Sequence, residues 1–513
     1  MDSPAADSVR GGTRAGLLNG WGTLGLSVIV GCLAISNQSF WIDETLSAVK
    51  AMMPTFGDWW QGMVGEKASD LQMPLYMVYL WGWEKLFGPG EWVLRAANLP
   101  WFGIGMTWFV LAFPGGGRRW LALVVALSSA MAWYYLDEAR PYTMQLSGAL
   151  LVAGSLLRCG KRVEGEPARG CDLVFLAGLL IVSGSSMLGM IFGGAGLALF
   201  ILVAGWREAL RRARQSVVAW VAAGALLLFL SCYYCWTLAV GARASAGATT
   251  TLKTTAFVFY ELLGFGGLGP GRLDLRGGGL DAFAGLWPWV GFYAAAVITV
   301  MAAGLVELFE TSVSQDANNG SGVWCGGRQE WLAGLICLAP AVMILVAGLV
   351  MHFRVLGRHL IPLLPVIWWV AHGGVLRLWR GVGGLGKFVG AAFLVLNLAS
   401  CLTLRWAERH AKDDYRSASA YGREALRLGR LVWWNAAEQG AIYYGLPLEG
   451  GGAQFLMNPT PAELAHRPLP DVVIASKPDV YDVQGSLAAW LKAEGYARVR
   501  QWPAFVVWER KRR

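Results

Sequence analysis

The sequence predicts an α-helical polytopic membrane protein of about eleven transmembrane helices, followed by a small C-terminal α/β domain. Three observations carry this expectation. Only 15% of the 513 residues are charged and 55% are hydrophobic, whereas soluble domains carry about 25% charged residues. Apolar runs near the roughly 20 residues that cross a bilayer recur as far as residue 404. Beyond that point the apolar runs shorten to strand length.

Taken in order, the apolar segments are 17–36, 92–113, 120–136, 143–157, 172–188, 189–205, 217–239, 285–306, 331–351, 360–376 and 388–404. The first 35 residues hold a basic stretch and an apolar run without a small-residue cleavage site, so the first helix is expected to be retained. Lysines and arginines in the connecting loops orient the spans, because they favour the cytoplasm. Arg10, Arg14, Arg118, Arg119, Arg158, Lys161, Arg162, Arg169, Arg207, Arg211, Arg212, Arg214, Arg377, Arg380 and Lys387 all fall on one side if the spans are as given. Both flanks of 172–205 are basic, so an even number of crossings lies between them and Ser183–Ser186 turns a hairpin. Eleven crossings then leave the C-terminus outside.

The segment 74–88 (PLYMVYLWGWEKLFG) is apolar but too short to span, and it contains Glu84 and Lys85. It is expected as a helix along the external face, inside a first external loop of 37–91. The 27 tryptophans suit membrane interfaces. A net charge of +9 is absorbed by the cytoplasmic loops and calls for no nucleic-acid partner. Of eight cysteines, Cys232 and Cys235 form a C-x-x-C pair with no second Cys/His pair nearby, and core packing is the expectation. Asn37 and Asn319 open short glycosylation-like patterns of low specificity. From 405 onward, the strand-like runs 431–434, 471–476 and 504–510 alternate with helical patterns at 416–428 and 486–496. They read as a soluble external α/β domain over 405–513, set on a transmembrane domain of 1–404.

Charged groups at the ends of spans are costly unless paired or wet, and so default to functional candidates. FWIDETLSA places Asp43 and Glu44 just past the first span. DEARPYTM (137–144) supplies Asp137, Glu138, Arg140 and Tyr142, and HFRVLGRHLIPLLP (352–365) supplies His352, Arg354, Arg358 and His359. A solvated loop carboxylate and a helix-end ion-pair cluster are the plain alternatives. Topology nevertheless brings all three segments to one external face. A carboxylate takes a proton from an acceptor hydroxyl, and arginines bind a phosphate and stabilise its leaving charge. The loop 240–284, with Lys253, Tyr260, Glu261, Arg272 and Arg276, is either a gate to this region or a passive connector.

WIDE, then D-x-x-M-P-L-Y (70–76), LFGPGEWVLRAANLP (86–100), DEARPYTMQL and RHLIPLLP follow one another in an order that resembles the GT-C superfamily of membrane glycosyltransferases. Within it, the likeness is to bacterial enzymes of the protein O-mannosyltransferase and lipid A aminoarabinose transferase kind. The resemblance implies an inverting glycosyltransferase of the bacterial inner membrane with its C-terminus in the periplasm. It implies a polyprenyl-phosphate sugar donor, surrounding membrane lipid, and a lipid, glycan or protein acceptor. Asp43 would be the catalytic base and Glu44 its support. Arg140, Tyr142, Arg354 and Arg358 would face the donor phosphate, and Asp70, Tyr76, Lys85 and Glu138 would line the pocket. A divalent metal cation is left open as a cofactor, with Asp43 and Glu44 as candidate ligands. The chain departs from the family at Met73–Pro74, at His359, and at 183–190, where a histidine frequent in relatives is missing.

Competing readings are a transporter of lipid-linked or small solutes, a GT-C scaffold without activity, and a cytoplasmic nucleotide-sugar transferase. The first wants charges within spans or an inverted repeat, and neither is evident. The last wants a cytoplasmic nucleotide-binding domain, and no cytoplasmic loop is long enough to hold one.

Overall fold

A computed structural model describes residues 5–159, 169–241, 250–318, 327–381 and 383–510; for 5–19, 169, 309, 311–318 and 327–331 it gives the backbone only. Asn319 lies outside the described residues. Every expected span coincides with helix. Five helices are long and apolar enough to cross a membrane: Val217–Ala239, Trp287–Leu308, Leu332–Val350, Gly357–Arg380 and Gly384–Trp406. Two bent pairs raise the number to seven, and Gly20–Ala34 and Gly170–Ser185 are shorter apolar helices. The chain is therefore a multi-pass membrane protein, but the expected count of eleven is not reached by length and composition. The bends explain part of the shortfall. The span expected at 120–136 turns by 58° between Leu127 and Ala130, where Ser129 caps the second helix. At Gly205 (φ 79°) the chain turns by 106° into Trp206–Gln215, which carries Arg207, Arg211, Arg212 and Arg214.

Tight helix contacts rest on small residues, as is usual where lipid supplies no hydrophobic drive between helices. Gly170–Ser185 and Gly189–Ala204 run antiparallel, and a Cβ on Gly189 would overlap the Val182 carbonyl. The turn between them caps locally through Gly189 N to Ser186 O (2.9 Å), and Met187 N donates to Gln72 O (2.9 Å) in the first loop. The hairpin expected at Ser183–Ser186 is thus formed, and it abuts the loop that carries Asp43. Pro74–Phe87 is a helix of 14 residues and is not one of the spans. Cys232 and Cys235 are both exposed on Val217–Ala239, not packed in a core as expected. Residues three apart on a helix share a face, and this one looks outward.

The C-terminal region folds into a five-stranded sheet: β1 Val432–Asn435, β2 Gln454–Phe455, β3 Val472–Ser476, β4 Tyr496–Trp502 and β5 Phe505–Arg510, in the order β2-β1-β3-β5-β4. β1 pairs in parallel with β2 and β3, and β5 is antiparallel to β3 and β4. β1 is buried along its whole length, with Trp433 and Trp434 fully enclosed. β2 and β4 were not expected. β2 is two residues long, and β4 (YARVRQW) has four consecutive exposed residues, so neither shows an apolar run. The domain rests on the first loop. The Phe40 N–H donates to the Tyr444 hydroxyl (2.8 Å), Tyr443 donates to Pro89 O (2.7 Å), and Arg416 pairs with Glu91.

Candidate active site

The site is built on the helix Ile42–Ala51, with Asp43 and Glu44 in its first turn, where the helix dipole favours negative charge. Successive helical residues point about 100° apart, and here that separates the two carboxylates completely. Glu44 has no exposed surface. Its Oε1 accepts from Arg95 Nε (2.8 Å) and Ala139 N (3.0 Å), and its Oε2 accepts from Arg95 Nη2 (2.8 Å) and Lys412 Nζ (3.2 Å). Arg95 also donates to Ser36 O (3.0 Å) and Gln38 O (2.7 Å). Glu44 thus locks three distant segments together, and neither oxygen is left over for a cation. A divalent metal held jointly by Asp43 and Glu44 does not fit this donor set, because it would sit against Arg95 and Lys412.

Asp43 keeps 26% of its side chain accessible, and its Oδ2 accepts from Arg358 Nη1 at 2.7 Å. Burial by itself would raise the Asp43 pKa. The charges of Arg358, Arg140 and Lys477 outweigh it and hold the carboxyl below the ordinary aspartate value. Asp43 is therefore ionised at neutral pH.

Below it, Arg140 donates through Nη1 to the Asp43 carbonyl (3.2 Å), Ser47 Oγ (2.7 Å) and Asp70 Oδ1 (2.6 Å). Asp70 completes a buried chain through Lys50 Nζ (2.9 Å), which also pairs with Glu66 (2.8 Å). Asp70, like Asp43, is held below the ordinary value: burial opposes this, but Arg140 and Lys50 prevail. Tyr142 is buried with the Arg358 guanidinium 5.5 Å from its ring centre. Nε of Arg140, Nε of Arg358 and Nε1 of Trp41 are buried donors with no acceptor among the described residues. The Tyr76 hydroxyl and both carboxyl oxygens of Glu138 are likewise buried and unpartnered. Burial, the largest influence on Glu138, pushes its pKa up to about 7. Polar groups left unsatisfied at this density are costly unless something else meets them.

Two expected residues stand apart. Lys85 pairs with its neighbour Glu84 (2.6 Å) and lies over Trp81, with no bond to the groups around Asp43. Arg354 is exposed without a hydrogen bond or ion pair among the described residues, in the positive field of Arg276, Arg272 and Arg358. His359 accepts from Leu356 N (3.2 Å) as a local cap, and His352 is exposed at φ 53°.

One residue of the loop left open between gate and connector reaches the site. Arg272 pairs with Glu261 (2.5 Å), donates to Tyr135 (3.1 Å), stacks on Tyr134 (4.2 Å) and faces Trp41 (5.9 Å). The described part of the loop 240–284 is thus more than a connector. Arg95, Lys412, Lys50 and Lys477, by contrast, were missed. Arg95 alone carried a signal, since it lies within the LFGPGEWVLRAANLP segment.

The helical bundle, with its acidic first loop and terminal sheet, is similar in fold to solved structures of the membrane enzyme ArnT. ArnT is a lipid A aminoarabinose transferase, a glycosyltransferase of the GT-C type. ArnT from Cupriavidus metallidurans in the apo state superposes with a TM-score of 0.53 at 14% identity, over 96% of this chain and 98% of that chain. The same enzyme bound to undecaprenyl phosphate gives 0.50 at 12% identity, over 95% and 97%. No protein-family model and no curated sequence matches the chain. At these identities the likeness is one of fold.

Proposed function

We propose that the chain is an inverting glycosyltransferase that moves a sugar from a polyprenyl-phosphate donor to an acceptor hydroxyl on the periplasmic face of a bacterial inner membrane. One observation carries the reading: Asp43 is an ionised, partly accessible carboxylate paired to Arg358 beside buried donors that lack an acceptor. A full-length fold shared with ArnT, one structure of which holds undecaprenyl phosphate, supports it. In this reading the acceptor oxygen forms a bond to the anomeric carbon as the bond from that carbon to the phosphate oxygen breaks. Asp43 takes the hydroxyl proton, and the electron pair leaves on polyprenyl phosphate, stabilised by Arg358. Tyr142 backs Arg358. Arg140 and Asp70 hold the Asp43 backbone, and Glu44 fixes the helix through Arg95. When the phosphate draws Arg358 away, Asp43 loses the largest of the positive influences that depress its basicity, so donor binding prepares the base. No step is assigned to a metal.

The test uses Asp43→Asn. Membranes containing the protein and a polyprenyl-phosphate sugar are assayed for transfer, and undecaprenyl phosphate binding is measured in parallel. An enzyme loses transfer and keeps binding, whereas unchanged transfer would remove Asp43 as the base. Mass spectrometry of lipids that co-purify with the protein identifies the sugar.

A further inference from the structure

The glycosyltransferase reading leaves out a cation that the C-terminal domain brings to the same place. Lys477 follows β3 and adopts φ 40°, ψ 73°, the left-handed region that favours glycine. A long side chain is strained there, and such strain collects at functional positions. Lys477 is 8% exposed, its Nζ is paired with the buried Asp413, and it lies 5.9 Å from the ring centre of Trp41. The guanidinium carbons of Arg358 and Arg272 lie 5.9 Å from that same ring. Three cations from three parts of the chain thus surround the residue that precedes the Asp43 helix. Two residues on, Asp479 pairs with Arg276 at 2.9 Å, tying this turn to the loop that supplies Arg272.

We propose, resting on the donor chemistry above, that Lys477 is a ligand of the donor phosphate, delivered to the transmembrane site by the C-terminal domain. Its ammonium has three N–H donors, and Asp413 is its one acceptor among the described residues. Arg358 Nε and Trp41 Nε1 are buried donors that still lack acceptors, one beside Trp41 and one on it. A phosphate monoester supplies the oxygens these groups lack. The influence of Lys477 on the Asp43 carboxyl places its charge in the same field. A lysine–aspartate pair that served only the domain's packing would need neither the strained backbone nor the face toward Trp41.

The experiment measures undecaprenyl phosphate binding to the full chain in detergent, with thermal unfolding as the control for folding. Lys477→Met weakens binding by about tenfold or more, the effect of one lost hydrogen bond to a charged group. Lys477→Arg restores most of it. Lys477→Met combined with Asp413→Asn, which leaves no buried carboxylate unpaired, stays as weak as the single variant. Recovery of binding in the double variant would mark a structural pair and overturn the proposal. So would Lys477→Met binding as wild type while Arg358→Gln binds weakly, an outcome that leaves the glycosyltransferase reading intact. A wild-type protein that does not bind undecaprenyl phosphate removes both.

Discussion

Asp43 and Glu44 are adjacent in sequence but belong to different environments, and substitution separates them. Glu44→Gln breaks a buried bidentate pair with Arg95 and costs roughly 3–5 kcal/mol, because among the described residues only Asp137, at 3.6 Å, is then left to face the enclosed guanidinium. Its expected outcome is a loss of folded protein, read by size-exclusion profile and unfolding temperature. Asp43→Asn leaves a partly accessible Arg358, so the fold survives while transfer drops by about 10²–10⁴, the usual contribution of a general base. Glu138 gives a pH dependence whose sign follows from its raised pKa. The folded chain holds a proton up to about pH 7 that the unfolded chain releases near the ordinary value of 4.5. Between these values the native state binds more protons, so this residue's contribution to stability falls as pH rises and levels off above 7. Glu138→Gln stays neutral throughout. Unfolding temperatures of the two proteins from pH 5 to 8 are therefore expected to diverge, with the variant gaining toward pH 8. Parallel curves would show that Glu138 titrates normally.

At the scale of elements, the hairpin Gly170–Ser185 and Gly189–Ala204 depends on a backbone approach that only glycine permits. Gly189→Val drives a side chain into the Val182 carbonyl and costs on the order of 1–3 kcal/mol as an overpacked contact. Gly194→Ala on the same helix meets open space and is expected to change the unfolding temperature little. Equal effects would remove the hairpin contact as the cause. The helix Ile42–Ala51 shows the same logic at the site. It is held at one end by Glu44–Arg95 and beneath by Arg140, and the helix Glu438–Tyr443 of the C-terminal domain lies alongside it. Its register, more than its composition, decides which carboxylate faces outward.

For the whole molecule, the proposed orientation is open to direct measurement. A reporter fused after residue 410 is expected to read periplasmic, and a cytoplasmic signal would invert the placement of Asp43 and of the terminal sheet together. Much of the architecture was legible in the chain. Apolar length gave every helix that became a candidate span, basic loops gave the 172–205 hairpin, and short apolar runs gave β1, β3 and β5, because each is a local pattern of burial. β2 and β4 were invisible, since one is too short and the other too exposed to show an apolar run. The site divides in the same way. Motif order brought Asp43, Arg140, Tyr142 and Arg358 together, and all four meet in the structure. Arg272 was named only within a loop left open between gate and connector, and Lys412 and Lys477 come from segments whose charges look like any solvated charge until a partner is seen. The sequence by itself determined a multi-span helical protein with an acidic first loop and a terminal α/β sheet, because hydrophobicity and charge are written along one dimension. Only the tertiary structure decided that Glu44 is sealed by Arg95 while Asp43 stays open, and that a lysine more than 400 residues away faces Trp41, because ion pairing and burial depend on neighbours that distant segments supply.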